Sequence, residues 1–502
     1  MKRLILLTLS LLLFLQATAQ VPLEWRGRWW RTYLEDAMLP LNLAMHDALY
    51  DWKDANATNT HKALADIQQM LGLERDTVIS QLYPVLYSPL QSPIGLTADE
   101  YSFRNDTLRY THRQTGIRMT LVYNHEDSTF SGIFRQGMLK MDVIFTPCDT
   151  LTSFSRPQTP DPPYSFIPEQ ITVTHKDAHG QQITLGGTLA IPKCKPASSK
   201  GYPAVVLISG SGQQNRDEEI FFHKPFLVLA EYLAQNGIAT LRYDDRGIGT
   251  STGNFNEATT SDFASDAEAL FEMLRRHEKI DSKRVGLLGH SEGGMIAPMI
   301  AARNSKVAFI ILEAGPGCTG AEVLLQQNER LFQMKGTPDS LIGIRINCMR
   351  ELFSLADTVA PDQLMQAINR TLDHHCSPYT KEELSRIGLS KSDALTWNLQ
   401  LTNPWIKEFL TTNPANYLPK VKCPILAMNG TKDFQVVCEP NLRAIQHLAT
   451  SCSRLVIMPL PGKNHLMQNC KVGDTREYIF TEETIAPEVL HYIADFILSN
   501  AK

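Results

Sequence analysis

The sequence lacks long basic runs, long apolar runs after its first residues, internal repeats and low-complexity tracts. The formal net charge of the 502-residue chain is −5, and Lys and Arg are scattered, so nucleic acid is not an expected partner. Beyond residue 20 no apolar segment approaches the ~20 residues that a membrane-spanning helix needs. With 43% hydrophobic and 20% charged residues, the composition indicates a globular protein of two or three domains.

Cysteine is present, but no pair has C-x-x-C spacing. The odd number of cysteines, nine, leaves at least one free or in an intermolecular bond if the others pair. Their connectivity stays open, and a set of small buried apolar side chains is as consistent with the sequence as a disulfide framework.

The N-terminus has the three parts of a signal peptide. Lys2 and Arg3 precede the apolar residues 4–15, and the small residues 17–19 follow. Residues 1–19 are therefore predicted to be a signal peptide, and the mature protein an exported one, periplasmic or secreted, without a membrane span. A permanent anchor is the alternative.

Two further domains are predicted after the signal peptide. Residues 20–150 form a small β-rich or α+β domain of unknown role: 100–147 alternate apolar and polar residues, as in an antiparallel meander, while 30–75 have a more helical pattern. The Pro-rich residues 151–168 are predicted to be a linker.

From residue 169 onward, short buried strands alternate with amphipathic helices. This pattern predicts a mostly parallel sheet with helices on both faces. About residues 316–418 contain helical patterns without a strand, which predicts a helical cap inserted into the sheet. The predicted strands include YPAVVLISG, IATLRYD, RVGLLG, AFIILEAG, CPILAMNG and RLVIMPLPG.

Two serines lie in the pattern G-x-S-x-G. Ser291 follows the strand RVGLLG directly and precedes a helix that begins at Gly293, so we expect it at the tip of a sharp turn with its hydroxyl exposed. Ser251 lies inside a polar loop several residues after a strand. We therefore interpret Ser291 as the candidate nucleophile and Ser251 as a structural residue.

A serine nucleophile needs a base and a carboxylate that orients it. Of the histidines after Ser291, only His465 lies in a loop directly after a predicted strand. Asp433 follows another strand in the same way, and Glu439 is the alternative acid. The order Ser291, Asp433, His465 is the one expected of this fold.

Backbone N–H groups should stabilise the negative charge that develops on an attacked carbonyl. We expect one from Glu292 and the other from the loop 210–218, which reads GSGQQNRDE, with Ser211 as the first choice and Gly212 as the second. A phosphate-binding loop is the alternative, but the loop has no lysine and no helix begins at its glycines. No metal or cofactor is required.

The motifs SGSGQQNRDE, LRYDDRGIGTSTG, GHSEGG, NPWIKEFL, NGTKDFQV and GKNHLMQ resemble those of bacterial α/β-hydrolase esterases. The similar branch has a Ser-Glu-Gly-Gly elbow and is often grouped with serine aminopeptidase-like hydrolases. The resemblance covers residues 165–502, implies the α/β-hydrolase fold, and places the triad on Ser291, Asp433 and His465. It also implies that Asp245 and Arg246 shape the floor of the site.

The leading hypothesis is therefore a serine carboxylesterase that acts on small-molecule acyl esters through an acyl-enzyme. An exported serine peptidase or aminopeptidase with the same triad is the alternative, and it would need a carboxylate of the cap, such as Glu322, Glu329 or Glu351, to hold a free amine. A non-catalytic binding protein is a third hypothesis. Oligomeric state is not predicted.

Overall fold

The computed structural model describes residues 25, 28–34, 39–47, 82–87, 96–137, 139–148 and 156–500. The chain divides into two compact units, residues 1–154 and residues 155–502. The predicted signal peptide lies outside the described residues. Within the part of the chain that is described, no helix is long and apolar enough to cross a membrane.

The described part of the N-terminal unit is an antiparallel sheet of nine strands in the order β4-β3-β2-β1-β9-β8-β7-β6-β5. Its interior contains many aromatic rings, such as Trp25, Trp30 and Phe130, which pack edge to face. Strands β5–β9 form the meander predicted for residues 100–147. The strands are β1 Trp29–Leu34, β2 Leu39–Asp47, β3 Leu82–Tyr87, β4 Leu96–Thr97, β5 Glu100–Arg104, β6 Thr107–His112, β7 Ile117–Asn124, β8 Thr129–Gln136 and β9 Leu139–Cys148.

The helical pattern predicted for residues 30–75 is wrong where the structure describes them. Residues 29–34 and 39–47 are strands β1 and β2, which pair with each other. Residues 41–45 are all buried, and because successive side chains of a strand point to opposite faces, both faces of β2 are covered there. Leu, Ala and Met are good helix formers, but intrinsic propensity is a small effect, and pairing with two neighbouring strands outweighs it.

The C-terminal unit contains, in its described part, an eight-stranded sheet in the order β10-β11-β13-β12-β14-β15-β16-β17. All neighbours are parallel except β11, which is antiparallel to β10 and to β13. The crossovers between parallel strands are helical, as the alternating pattern predicts. The strands are β10 Phe166–Lys176, β11 Gln182–Pro192, β12 Tyr202–Ile208, β13 Ala239–Tyr243, β14 Ile280–His290, β15 Ile310–Glu313, β16 Ile425–Gly430 and β17 Leu455–Leu460.

Strand β10 begins at Phe166, within the range predicted as linker. It lies at the edge of the sheet, where the missing N–H of Pro168 is tolerated. The preceding residues are held by side chains: Arg156 donates to the carbonyl of Ile479, and Gln158 donates to that of Ile485, both at 2.7 Å.

Helices cover both faces of this sheet. Helices α2, α3 and α10 pack on one face, and α1 and α12 on the other, so the central strands are buried on both sides and are almost wholly apolar. The helices outside the cap are α1 Pro225–Gln235, α2 Thr260–Leu274, α3 Gly293–Arg303, α10 Cys438–Leu448, α11 Thr475–Phe480 and α12 Pro487–Asn500.

The cap is inserted between β15 and β16, as predicted, and has a hydrophobic core of its own. Thr319 begins its first helix with a capping box, in which Glu322 is the partner residue, and this arrangement satisfies two N–H groups at the helix end. The eight cysteines of the C-terminal unit, from Cys194 to Cys470, are free thiols. The cap helices are α4 Gly320–Met334, α5 Asp339–Thr358, α6 Pro361–Cys376, α7 Lys381–Arg386, α8 Ala394–Thr402 and α9 Pro404–Thr411.

Candidate active site

Ser291 lies in a sharp turn between β14 and α3. Its φ of 53° is a left-handed conformation that costs a non-glycine residue on the order of 1–3 kcal/mol. The Ser291 N–H donates to the carbonyl of Glu313 at the end of β15, at 2.9 Å. The partly exposed side chain thus lies at the carboxyl edge of the sheet, in the strand–turn–helix arrangement that the sequence predicts.

The glycines around Ser291 are required by close backbone contacts. A Cβ on Gly289 would lie 1.9 Å from the carbonyl oxygen of Gly293, and a Cβ on Gly293 would lie 2.2 Å from that of Ile208. These atoms belong to the backbone and cannot move aside independently. Only glycine therefore allows the helix to begin so close to strands β12 and β14.

Asp433 and His465 are brought together from the ends of β16 and β17. His465 Nδ1 and Asp433 Oδ2 are 2.7 Å apart, and both residues are buried. The other carboxylate oxygen of Asp433 accepts from the N–H groups of Gln435 and Val436, at 2.8 and 3.0 Å. The turn after β16 thus fixes the carboxylate before it meets the histidine.

This pairing sets the proton positions on His465. An ionised carboxylate only accepts hydrogen bonds, so Nδ1 carries the proton and Nε2 has a lone pair available. Ser291 and His465 line the same cavity, but the structure records no hydrogen bond between these two side chains. Such contacts are often long without a substrate, and the bond from nucleophile to base stays a prediction.

The loop after β12 approaches Ser291 closely. A Cβ on Gly210 would lie 3.0 Å from Cβ of Ser291. Ser211 lines the cavity together with Glu292, whereas Gly212, among the described residues, does not. No acceptor within the described structure is recorded for the N–H of Ser211 or of Glu292, so both donors are available to a ligand. These positions support Ser211 rather than Gly212.

Asp245 binds residues on both sides of Ser211, namely Ser209 and Gln214. Its two carboxylate oxygens accept from the Ser209 hydroxyl and from the Gln214 N–H, each at 3.0 Å. Burial raises the pKa of Asp245 to about 8, against the lowering effect of these hydrogen bonds. Arg246 is turned away from the cavity and binds Asp266 at 2.7 Å. Asp245 thus supports the loop beside the site, whereas the recorded partners of Arg246 are Asp262, Asp266 and Asp177, none of which lines the cavity within the described residues.

A second buried acid–histidine pair, Glu218 and His290, lies behind Ser291 and was missed in the sequence. His290 Nδ1 is 2.9 Å from Glu218 Oε1, and His290 Nε2 is 3.0 Å from the carbonyl oxygen of His465. His290 directly precedes Ser291 in the motif GHSEGG, and this position next to the candidate nucleophile is the signal in the sequence that could have identified it. Glu218 gives no such signal, because it lies in a polar loop 72 residues away.

Burial opposes a charge on His290, but the charge and hydrogen bond of Glu218 outweigh burial and raise the pKa of His290 to about 9. The neighbouring Glu313 is also buried. Burial raises the pKa of Glu313 to about 7, although the charge on His290 lowers it. The carboxylates around His290 thus favour its doubly protonated form.

Glu292 connects the turn to the cap. Its buried carboxylate accepts from Thr260 Oγ1 of α2 at 2.6 Å and from Trp405 Nε1 of α9 at 2.8 Å. Burial raises the pKa of Glu292, while these hydrogen bonds lower it. Glu292, which is predicted to offer a backbone donor to the site, thus also anchors one wall of the cavity.

The cavity at Ser291 has a volume of about 220 Å³. The sheet supplies its polar floor, and the cap supplies an apolar wall. It is lined by Gly210, Ser211, Gln214, Glu218, Ile220, His290, Ser291, Glu292, Pro316, Val323, Leu324, Gln327, Trp405, Phe409, Gln435, Val436, His465 and Leu466.

The alternatives considered in the sequence lie elsewhere. Ser251 is buried and uses its hydroxyl within its own loop, where it donates to the carbonyl of Asp244 at 2.7 Å. Glu439 is exposed on α10, where it pairs with Arg443. Neither residue lines the cavity around Ser291, within the structure described.

One group of side chains has metal-ligand chemistry. Glu351, His374 and His375 of the cap place potential ligand atoms within 4.8 Å of one another. The three residues are absent from the lining of the cavity at Ser291 in the described structure.

Residues 224–468, which include Ser291, Asp433 and His465, match a family described as "Serine aminopeptidase, S33". This part of the chain, slightly less than half of its 502 residues, is similar to that family, and its sheet has the α/β-hydrolase order. We call residues 155–502, which complete its sheet, the hydrolase unit. The assignment agrees with the fold and with the branch that the sequence motifs resemble.

The hydrolase unit also resembles individual esterases. A stretch of 228 residues is 31% identical to "Esterase EstD" of Thermotoga maritima and covers 45% of this chain and 48% of that protein. The chain thus spans about half the length of this relative.

Two solved structures are similar to the hydrolase unit. The Pyrococcus furiosus esterase Pf2001 is 15% identical, with a TM-score of 0.37, and the match covers 67% of this chain and 94% of that one. The α/β-hydrolase GrgF from Penicillium sp. sh18 is 18% identical, with a TM-score of 0.40 and coverages of 66% and 99%. Because these identities and TM-scores are low, the fold assignment rests on the family match and on the order of strands in the sheet.

Proposed function

We propose that the hydrolase unit is a carboxylesterase that uses Ser291, His465 and Asp433 as its catalytic triad. The observation that carries the proposal is the buried His465–Asp433 pair, 2.7 Å apart, whose histidine lines the same cavity as Ser291. A serine in a strained turn is a weak nucleophile alone, and an oriented imidazole supplies the base that it needs.

The proposed reaction passes through an acyl-enzyme. Ser291 Oγ attacks the ester carbonyl carbon while His465 Nε2 takes its proton, and the N–H groups of Glu292 and Ser211 bind the negative oxygen. The bond to the alcohol then breaks, and His465 gives its proton to the departing oxygen. A water molecule, deprotonated by His465, attacks the acyl group, which releases the carboxylic acid and restores the Ser291 hydroxyl.

The cavity supports a small, uncharged acyl or alcohol group. Its volume of about 220 Å³ lies below the roughly 300–1,000 Å³ of pockets for drug-sized ligands. Apolar side chains such as Val323 and Phe409 line the cap wall, and the nearby amides of Gln214 and Gln327 are neutral. We therefore expect esters of short acyl chains to be the preferred substrates.

The peptidase alternative needs a carboxylate at the cavity that is free to bind an amine. The two carboxylates that line the cavity, Glu218 and Glu292, already have hydrogen-bond partners, so they disfavour this alternative. Glu218 already accepts from Gly210 and His290, and Glu292 accepts from Thr260 and Trp405. The cap acids Glu322, Glu329 and Glu351 are not among the residues that line this cavity, within the described structure.

The test compares p-nitrophenyl acetate, butyrate and laurate with aminoacyl p-nitroanilides on the full chain. A fluorophosphonate probe, followed by peptide mapping, identifies the nucleophile. We expect butyrate and acetate to be cleaved fastest and the label to lie on Ser291. Preference for the anilides would support the peptidase instead, and a chain that takes no label and cleaves nothing would support the binding protein.

A further inference from the structure

We propose that Glu218 and His290 are positioning residues that lock three parts of the active site together: the loop with Ser211, the turn with Ser291 and the loop with His465. The inference rests on the proposed function and adds a second acid–histidine pair to it. In this view the pair fixes the distance between the oxyanion donors and the base, and it takes no proton from the substrate.

The geometry of the pair carries the proposal. Glu218 Oε1 accepts from the Gly210 N–H at 2.7 Å and from His290 Nδ1 at 2.9 Å. His290 Nε2 donates to the His465 carbonyl at 3.0 Å. One continuous chain of hydrogen bonds therefore links the residue before Ser211, the residue before Ser291 and the backbone of the proposed base.

His290 can position these loops only if both of its nitrogens carry protons. One carboxylate oxygen accepts two bonds on one side of the ring, and a carbonyl oxygen, which is only an acceptor, lies on the other. Both ring nitrogens of His290 are thus occupied, so it is not a second base for Ser291, although its ring centre is 4.8 Å from that of His465.

The charge on Glu218 keeps His290 in this doubly protonated form. The groups that face His290 are Glu218 from the loop after β12, Glu313 from β15 and His465 from the loop after β17. The two carboxylates favour the cation, while burial opposes it. A neutral residue at position 218 would therefore lower the pKa of His290, by roughly 1–3 units for the loss of an adjacent opposite charge.

The experiment measures the rate constant of fluorophosphonate labelling of Ser291 between pH 6 and pH 10.5, together with kcat and KM for p-nitrophenyl butyrate at pH 8.5. The variants are Glu218→Gln, which keeps the shape of the side chain, and His290→Gln. His175→Gln is the matched control, because His175 also pairs with a buried carboxylate, Asp266, at 2.6 Å, outside the site.

We expect wild-type labelling to fall at alkaline pH with a midpoint near the pKa of His290, about 9. In Glu218→Gln the fall should begin at least one pH unit lower. At pH 8.5 labelling and kcat should be roughly 10- to 100-fold lower with KM little changed, which is the size of effect expected when reacting groups are misplaced by about 1 Å. His290→Gln should be slow at every pH, and the control should follow the wild type.

Alkaline profiles that coincide in the wild type and Glu218→Gln would overturn the positioning role while leaving the proposed esterase intact. If Glu218→Gln does not fold, as judged by its thermal transition, the wild-type profile decides: labelling that stays constant up to pH 10.5 contradicts the proposal. A wild type that is labelled but cleaves no ester refutes the proposed substrate and leaves the pair testable through labelling. A wild type without any label refutes both.

Discussion

The two G-x-S-x-G segments of this chain share a pattern and differ in almost everything that the pattern is meant to indicate. Ser291 lies in a left-handed turn with its side chain at a cavity. Ser251 is buried, and its hydroxyl both donates to the carbonyl of Asp244 and accepts from the N–H of Gly186, at 2.7 and 2.9 Å. The side chain of Ser291 is thus at a cavity that a substrate could enter. The hydroxyl of Ser251 is the hydrogen-bond partner of two backbone groups instead.

The difference comes from what lies on each side of the serine. Only Ser291 and Glu292 lie between the buried strand β14 and helix α3. The turn is therefore tight, and its glycines lie in close contact with neighbouring backbone. The segment at Ser251 belongs to a loop that closes on itself through Asp244, which accepts from the N–H and hydroxyl of Thr250. The flanking elements, and not the five-residue pattern, decide the role of the serine.

The largest expected effect comes from Ser291→Ala. Removing the nucleophile should lower kcat for p-nitrophenyl butyrate by about 10⁴-fold or more and abolish fluorophosphonate labelling, while the thermal transition stays within a few degrees of wild type. Initial rates and gel fluorescence measure both. Labelling that persists in this variant would mean that the comparison has selected the wrong serine.

The next effect concerns the carboxylate behind the base. Asp433→Asn keeps the shape of the side chain but replaces one acceptor oxygen with an amide, which disturbs the tautomer of His465, and kcat should fall by roughly 10³- to 10⁴-fold. Steady-state kinetics check this expectation. Glu439→Gln, on exposed α10, is the control and should leave kcat unchanged.

A smaller effect is that the contributions of the two segments to stability depend differently on pH. The folded pKa of His290 is raised to about 9, above its ordinary value of about 6.5. The stability that it contributes is therefore complete below about pH 6.5 and is lost as pH rises through 9. Hydrogen bonds from Arg216 and Thr250 outweigh burial and lower the pKa of Asp244, which anchors the other segment, to about 2, so its contribution is lost only as pH falls through 2.

Thermal midpoints measured between pH 6.5 and pH 10.5 test this difference. We expect the wild-type midpoint to fall by several degrees on the alkaline side, and most of that decrease to be absent in His290→Gln. An equal alkaline decrease in both proteins would show that other groups dominate the titration.

The smallest effect is expected for Ser251→Ala. Losing one buried hydroxyl with two partners should lower the free energy of unfolding by about 1–3 kcal/mol and leave kcat within about twofold of the wild type. Chemical denaturation and steady-state kinetics measure the two quantities. A loss of kcat comparable to that of Ser291→Ala would abolish the distinction between the segments.

The sequence was sufficient wherever the information is local. The turn at Ser291 and the strands before Asp433 and His465 could be predicted, because strand, turn and helix signals lie next to each other in the chain. The pairing of Glu218 with His290 could not, because it depends on which loops meet at the edge of the sheet. In the N-terminal unit, β2 was mistaken for part of a helix because Leu, Ala and Met have little preference for strands, and only pairing with β1 and β3 decides its structure.

The bond between Trp405 and Glu292 has a practical consequence. The hydrolase unit contains only two tryptophans, Trp397 and Trp405, and the indole N–H of the second one binds the residue that follows Ser291. Any movement of the cap away from the turn, or any acyl group that displaces this indole, changes the polarity around the ring. Trp397→Phe leaves Trp405 as the single tryptophan of the hydrolase unit, so a stopped-flow change in fluorescence, measured over the background of the four tryptophans in residues 1–154, follows each turnover without an attached dye.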